Sequence, residues 1–330
     1  MRGKIKMLKI LAIIIMIILL IAIIIITALM FNHNNQLRKE AKEYLPLGRI
    51  VEINDKKLHV YIQGEGDITL VFMAGHGTSN PTLDFKPLWM RMIDDYRIAV
   101  VEKSGYGWSE TSNSPRDIDT MLEETRMVLE LSGEKAPYVL FPHSMSGLEA
   151  IYWAQKYPYE VKAIIGLDPC IPQTIELIPE PKKMQLYFMY FVSRMGLSRF
   201  IPESEIGENL PLMKSNKLSE EDKNLYLSVF YKSAFTKDML REVNYLKDNA
   251  GTVAKNEIPI NTPMYFFISD EQEANAIGWK DALSDYLSKI TIGKHMQLTT
   301  GHYVHYDKAD IIAREAKFFL EDINKSNTEG

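Results

Sequence analysis

One serine in this chain stands where a buried strand gives way, within a few residues, to a helix. Pro142-His143-Ser144-Met145-Ser146-Gly147 directly follows the apolar run Tyr138-Val139-Leu140-Phe141. It directly precedes the helical pattern Leu148-Glu149-Ala150-Ile151-Tyr152-Trp153-Ala154. A strand–turn–helix this tight pushes the apex side chain out of the sheet and leaves helix N-terminal N–H groups behind it. The spacing approaches G-x-S-x-G, with Pro142 and Ser146 in place of the two glycines. Those glycines let helix and strand approach closely, so Ser146 is a small departure and Pro142 a larger one. Taken alone, Ser144 reads equally as an ordinary turn or cap residue.

The N-terminus constrains the chain in another way. Residues 10–31 form 22 consecutive positions without a charge, dominated by isoleucine and leucine. At ~1.5 Å per residue a helix of that length spans roughly 33 Å, enough for the hydrocarbon core of a bilayer. A cleavable signal peptide has a shorter apolar region and a small-x-small cleavage site, whereas Ile26-Thr27-Ala28 puts a bulky residue first. The expectation is an uncleaved single-pass signal anchor. Arg2, Lys4, Lys6 and Lys9 precede it, and Arg38, Lys39 and Lys42 follow. With the amino terminus counted, the charge bias keeps the N-terminus in the cytoplasm and the main domain outside.

Removing residues 1–31 shifts the net charge from −5 to −9. An acidic domain of this kind argues against a nucleic-acid partner. Cys170 is the only cysteine, so an internal disulfide is excluded, and no C-x-x-C or H-E-x-x-H pattern points to a metal. Oligomeric state is not legible.

Residues 32–46 are polar and read as a short helical stalk or linker. From residue 49 on, strand-like and helix-like segments alternate. Strands are expected at 50–53, 58–62, 68–73, 97–101, 138–141, 161–167, 264–268 and 295–298. Helices are expected near 85–95, 117–131, 148–154, 279–287 and 308–320. That rhythm implies a mostly parallel sheet covered on both faces. Residues 171–255 break it with several amphipathic helical patterns and no buried strand, the signature of an inserted helical lid. The resulting division is an anchor (1–31), a linker (32–46), a first core part (47–170), the lid (171–255), a second core part (256–325) and a tail (326–330).

Three further pieces fall at the ends of expected strands, where ligand chemistry collects in open α/β sheets. Gly75-His76-Gly77 can present a backbone N–H, from His76 or Gly77, to complete an oxyanion hole with the N–H of Met145. His302, in Gly301-His302-Tyr303-Val304-His305, lies late in the chain, as the order Ser…acid…His requires of a base. His305 competes with it. Two aspartates, Asp168 and Asp270, each close a strand and could orient the imidazole.

Together with Glu102-Lys103-Ser104-Gly105-Tyr106-Gly107-Trp108-Ser109, these motifs stand in the order and spacing of the α/β-hydrolase fold family, which the chain resembles over residues 49–322. The resemblance implies an eight-stranded, mostly parallel sheet, a Ser–His–acid triad and no cofactor. It carries Ser144 to nucleophile, His302 to base, and Met145 with the 75–77 loop to oxyanion hole. The family's usual acid position, counted from Ser269, falls on Gln272, so Asp270 is out of register. Other members take the acid from the strand after the elbow helix, which favours Asp168 with Asp270 as the alternative. The expected function is a membrane-anchored serine hydrolase acting on carboxylic esters, thioesters or amides of small acyl or lipid-like substrates. An aminopeptidase, with lid acids such as Glu203, Glu205 or Glu208 holding an amine, is the enzymatic alternative. A non-catalytic binding or signalling module on the same fold is the alternative of another class.

Overall fold

The structure is a computed structural model that describes residues 2–179, 182–214, 218–270 and 275–328. Apolar runs without polar alternation form the inner strands, which are buried on both faces, whereas the two edge strands, at 49–53 and 293–298, are largely exposed. The strands are β1 (Arg49–Ile53), β2 (Lys56–Gln63), β3 (Thr69–Met73), β4 (Arg97–Val101), β5 (Tyr138–Pro142), β6 (Val161–Leu167), β7 (Met264–Ser269) and β8 (Gly293–Leu298). They make one sheet in the order β1-β2-β4-β3-β5-β6-β7-β8, with β2 antiparallel to both neighbours and the remaining pairings parallel.

The period of two assigns each strand residue to one of two cores. Val71, Leu140, Ile164 and Phe266 pack beneath α4 (Ile118–Leu131) and α5 (Ser146–Lys156). Phe72, Phe141, Ile165 and Phe267 face the opposite side, against the C-terminal helix. Asp117 caps α4 by accepting from the Thr120 N–H at 2.9 Å, which explains why that helix begins where it does. One expected helix is corrected. Residues 85–95 hold only one short helix, α3 (Lys86–Trp89), followed by turns; α2 (Pro81–Asp84) comes before them, because Phe85 ends it and Pro87 can only open a new helix.

Among its described residues the inserted block holds helices joined by short turns and no strand. It comprises α6 (Pro172–Ile175), α7 (Lys183–Arg194), α8 (Glu203–Asn209), α9 (Pro211–Lys214), α10 (Glu220–Ser233) and α11 (Lys237–Lys255), with a 3-10 turn at Leu197–Phe200. The core resumes with β7, α12 (Trp279–Leu287), β8, α13 (Val304–Asp307) and α14 (Ala309–Thr328). The last helix therefore outruns its expected end and takes in residues 326–328, assigned to the tail above.

α1 runs unbroken over Arg2–Glu43, so the polar stretch after the apolar run is a rigid continuation of the same helix as far as Glu43. By length and composition α1 can cross a membrane, and its most apolar window has no buried residue. Past that window it packs on α10 of the lid.

Candidate active site

β5 ends at Pro142 and α5 begins at Ser146, leaving three residues to reverse direction. The turn is closed by holding Ser144 at φ 52°, a left-handed conformation that costs an L-residue about 1–2 kcal/mol. Neighbouring backbone holds it there: His143 N–H donates to Met73 O at 3.0 Å, and Cys170 N–H donates to Ser144 O at 2.8 Å. Ser146, which replaces a glycine of the usual pattern, uses its hydroxyl to bind Met73 O at 2.6 Å and His143 O at 2.8 Å. The close helix–strand approach falls instead at Gly147, where a Cβ would lie 2.3 Å from Cys170 O. Pro142 is accommodated as the last residue of β5, paired with Met73.

The loop after β3 lies directly against this turn. A Cβ on Gly75 would sit 2.8 Å from Ser144 Cβ and 3.0 Å from His143 Nδ1, so only glycine lets the two loops meet. His76 follows, half-buried, and Gly77 follows that at φ 80°. The Gly77 backbone is hydrogen-bonded to the Tyr106 hydroxyl, which leaves His76 as the donor candidate of this loop. Met145, at the N-cap of α5, supplies the other.

The two candidate acids separate clearly. Asp168, fully buried after β6 and itself at φ 50°, accepts at Oδ2 from His302 Nδ1 (2.7 Å) and from the Ser269 hydroxyl (2.6 Å). Its Oδ1 accepts from Ser269 N–H and from the Trp279 indole N–H, each at 3.2 Å. A carboxylate can only accept, so the His302 tautomer carries its proton on Nδ1 and its lone pair on Nε2. Asp270 points elsewhere: its Oδ1 accepts from Thr300 N–H at 2.9 Å and shapes the loop that carries His302. Gln272 lies outside the described residues.

The imidazole of His302 also rests on the ring of His143, 4.8 Å away, whose Nε2 lies 3.2 Å from His302 O. Burial, followed by the neighbouring histidines, holds His143 well below the usual histidine range. His305 is buried against His143 and Phe85, and burial pulls it down to about 3. It is a packed, neutral ring and not a rival base. Burial and then Asp168 push the Cys170 thiol up to about 12, so it stays protonated beside Ser144.

Several neighbours of the site were not singled out by sequence. Glu242 of α11 accepts from the Tyr106 hydroxyl at 2.6 Å and lies 3.7 Å from both Lys103 Nζ and His76 Nδ1. Burial alone would raise its pKa, but Lys103, His76 and Arg116 outweigh burial and bring it to about 2. The signal was present in the periodicity: an acid occupies the stripe Met239, Glu242, Leu246, Asn249, Val253 that α11 buries. Ser269 and Trp279 bear on the site through Asp168, and His143 through both the elbow backbone and His302. The lid acids Glu203 and Glu205 are exposed on α8, while the side chain of Glu208 is outside the described set. The cavity shared by Lys103, Met145, Glu149 and Glu242 measures 20 Å³, room for a water and not for an acyl substrate.

The profile of the alpha/beta hydrolase fold family matches residues 62–275. Uncharacterized protein YbdG of Bacillus subtilis (strain 168) is 33% identical over 297 residues, covering 88% of this chain and 91% of that protein. The structure superposes on Cfl2 of Burkholderia cenocepacia with a TM-score of 0.60 at 20% identity, covering 82% of this chain and 95% of that one. For an epoxide hydrolase of Bacillus megaterium the TM-score is 0.60 at 17% identity, covering 83% and 100%. At these identities the two structures speak to the fold alone.

Proposed function

The chain belongs to the alpha/beta hydrolase fold family, and on that premise we propose that it is a serine hydrolase held at a membrane by α1, with its catalytic domain on the extracytoplasmic side. The observation that carries the reading is the 2.7 Å approach of His302 Nδ1 to Asp168 Oδ2, beside an elbow that holds Ser144 in a left-handed turn.

Ser144 Oγ attacks the carbonyl carbon of an ester, thioester or amide while His302 Nε2 takes its proton. Asp168 keeps the imidazole in the tautomer this requires and stabilises the imidazolium that forms. The N–H groups of Met145 and His76 receive the charge on the tetrahedral oxygen, each such donor typically contributing on the order of 10²–10³ in rate. His302 then protonates the leaving group, and the acyl-enzyme is released by a water that His302 deprotonates in turn. No cofactor or metal enters the scheme.

An ester is favoured over an aminoacyl substrate by the lid. Glu242, the buried acid nearest the oxyanion loop, is already engaged by Tyr106, Lys103 and Arg116, and Glu203 and Glu205 face solvent. The deciding experiment is labelling with a fluorophosphonate probe. Wild type is labelled and Ser144→Ala is not; a folded wild-type protein that resists the probe ends the serine-hydrolase reading and leaves the non-catalytic one. Paired p-nitrophenyl esters and aminoacyl anilides separate esterase from aminopeptidase. A reporter fused after Gly330 that is active in the cytoplasm reverses the topology.

A further inference from the structure

α7 of the lid presents an inverted amphipathic pattern. Met184, Tyr187, Phe188 and Phe191, at spacings of three, four and seven, form one exposed face of the helix, with Met184 83% and Phe188 65% accessible. A lid helix that served only the core would turn that stripe inward. Phe200 and Ile201, in the turn that follows, are also exposed, and Lys182 and Lys183 stand exposed at the start of the helix, while Arg194 at its finish is turned inward onto Lys232 O and Ala234 O. An apolar face of this size with a cationic end fits the boundary between lipid headgroups and acyl chains.

A second set of contacts places this face relative to α1. Arg199, next to Phe200, donates from Nε to His33 Nδ1 at 3.0 Å and makes a two-pronged pair with Glu40 at 2.6 and 2.7 Å. Burial, then the charge of Arg199, brings His33 down to about 4, so its ring is neutral and accepts that bond. Gly196, just past the end of α7, is packed so closely on His33 that a Cβ would lie 2.6 Å from the His33 Cβ. His33 is only two residues beyond the apolar run that ends at Phe31, an axial rise of roughly 3 Å. The lid is therefore clamped to α1 at the level where α1 leaves its apolar segment.

We propose that the outer face of α7 with Phe200 and Ile201 is a membrane-docking surface that seats the lid in the interfacial layer of the bilayer crossed by α1. The proposal rests on the membrane-anchor reading above. It also names a substrate class, an acyl amphiphile taken from that bilayer, since α11 of the lid lines the space beside Met145 with Glu242, Leu246 and Asn249.

The test uses the full chain in vesicles of equal parts phosphatidylcholine and phosphatidylglycerol, with and without acyl chains brominated near the headgroup. A thiol-reactive fluorophore is attached singly at Ile17→Cys, Phe188→Cys or Tyr159→Cys; the native Cys170 is buried and serves as the unlabelled background. Tyr159 is 94% exposed on the turn after α5, outside the lid segment, and is the control. Brominated lipid is expected to remove most of the fluorescence at Phe188→Cys and little at Tyr159→Cys. Adding Arg199→Ala to Phe188→Cys is expected to restore much of the signal, because it frees the lid from α1. Quenching at Ile17→Cys with none at Phe188→Cys overturns the docking surface and leaves the anchor standing. Equal quenching at Phe188→Cys and Tyr159→Cys overturns it as well. No quenching at Ile17→Cys overturns the anchor, and the docking surface with it.

Discussion

His302 Nδ1 lies 2.7 Å from Asp168 Oδ2, although the two residues are 134 positions apart. Asp168 closes β6 and His302 follows β8, so the pair spans the end of β7. Ser269, at that end, donates both its backbone N–H and its hydroxyl to the same carboxylate.

Asp168→Asn is expected to lower kcat on a p-nitrophenyl ester by about 10³–10⁴-fold, because it removes the acceptor that sets the His302 tautomer. Asp270→Asn keeps an oxygen to accept from the Thr300 N–H and is expected to retain most activity. Steady-state kinetics on both variants reads the contrast directly, and the opposite ranking rejects Asp168 as the orienting acid.

Gly75→Ala forces a methyl to within 2.8 Å of Ser144 Cβ, and neither loop is free to yield. A displacement of the reacting groups by a fraction of an ångström to an ångström costs about 10² in rate. The expected result is a large loss of kcat with a smaller change in Tm, measured on the same preparation.

Acid is expected to destabilise the fold through its buried histidines. His305 titrates near 3 when folded, against 6.5 in the unfolded chain. The unfolded state therefore binds the extra proton between those values, and stability falls as pH drops below 6.5. From neutral pH to about pH 4 the loss through this one group is on the order of 3 kcal/mol. His305→Phe keeps a ring in the cluster and removes the proton site. Denaturant unfolding across that range is expected to show a shallower acid slope for the variant.

Asp84 carries the opposite sign. Burial raises its carboxyl to about 7, despite hydrogen bonds from the hydroxyls of Tyr226 and Tyr306, both 2.6 Å from Oδ1. The folded state binds the proton that the unfolded chain releases above 3.8, so stability falls as pH rises from there to 7 and levels off beyond. Asp84→Asn retains an oxygen for both tyrosines without a charge to bury. It is expected to raise Tm more at pH 8 than at pH 5; an equal change at both values contradicts the raised carboxyl. Tyr226 belongs to the lid and Tyr306 to the core, so this aspartate also pins the two together.

By itself the sequence determined whatever depends on neighbours along the chain. Uninterrupted apolar runs marked the inner strands, three-and-four spacing marked α4 and helices of the 171–255 block, and the abrupt switch at 142–147 marked the elbow. The length of the 10–31 run marked a helix able to cross a bilayer. These are local consequences of backbone period and solvent, so one chain suffices to read them. Tertiary structure decided the questions that turn on which distant atoms meet. It chose Asp168 over Asp270 as the partner of His302, because the order β6-β7-β8 and two bonds from Ser269 aim one carboxylate at the imidazole while Thr300 holds the other. It gave the hydroxyl of Ser146 two carbonyls where a glycine was expected, and gathered Glu242 with Lys103, Arg116 and Tyr106. It also joined Arg199 to His33 and Glu40. Hydrogen bonds and ion pairs are short-ranged and directional, so they are fixed only once the sheet order has brought their ends together.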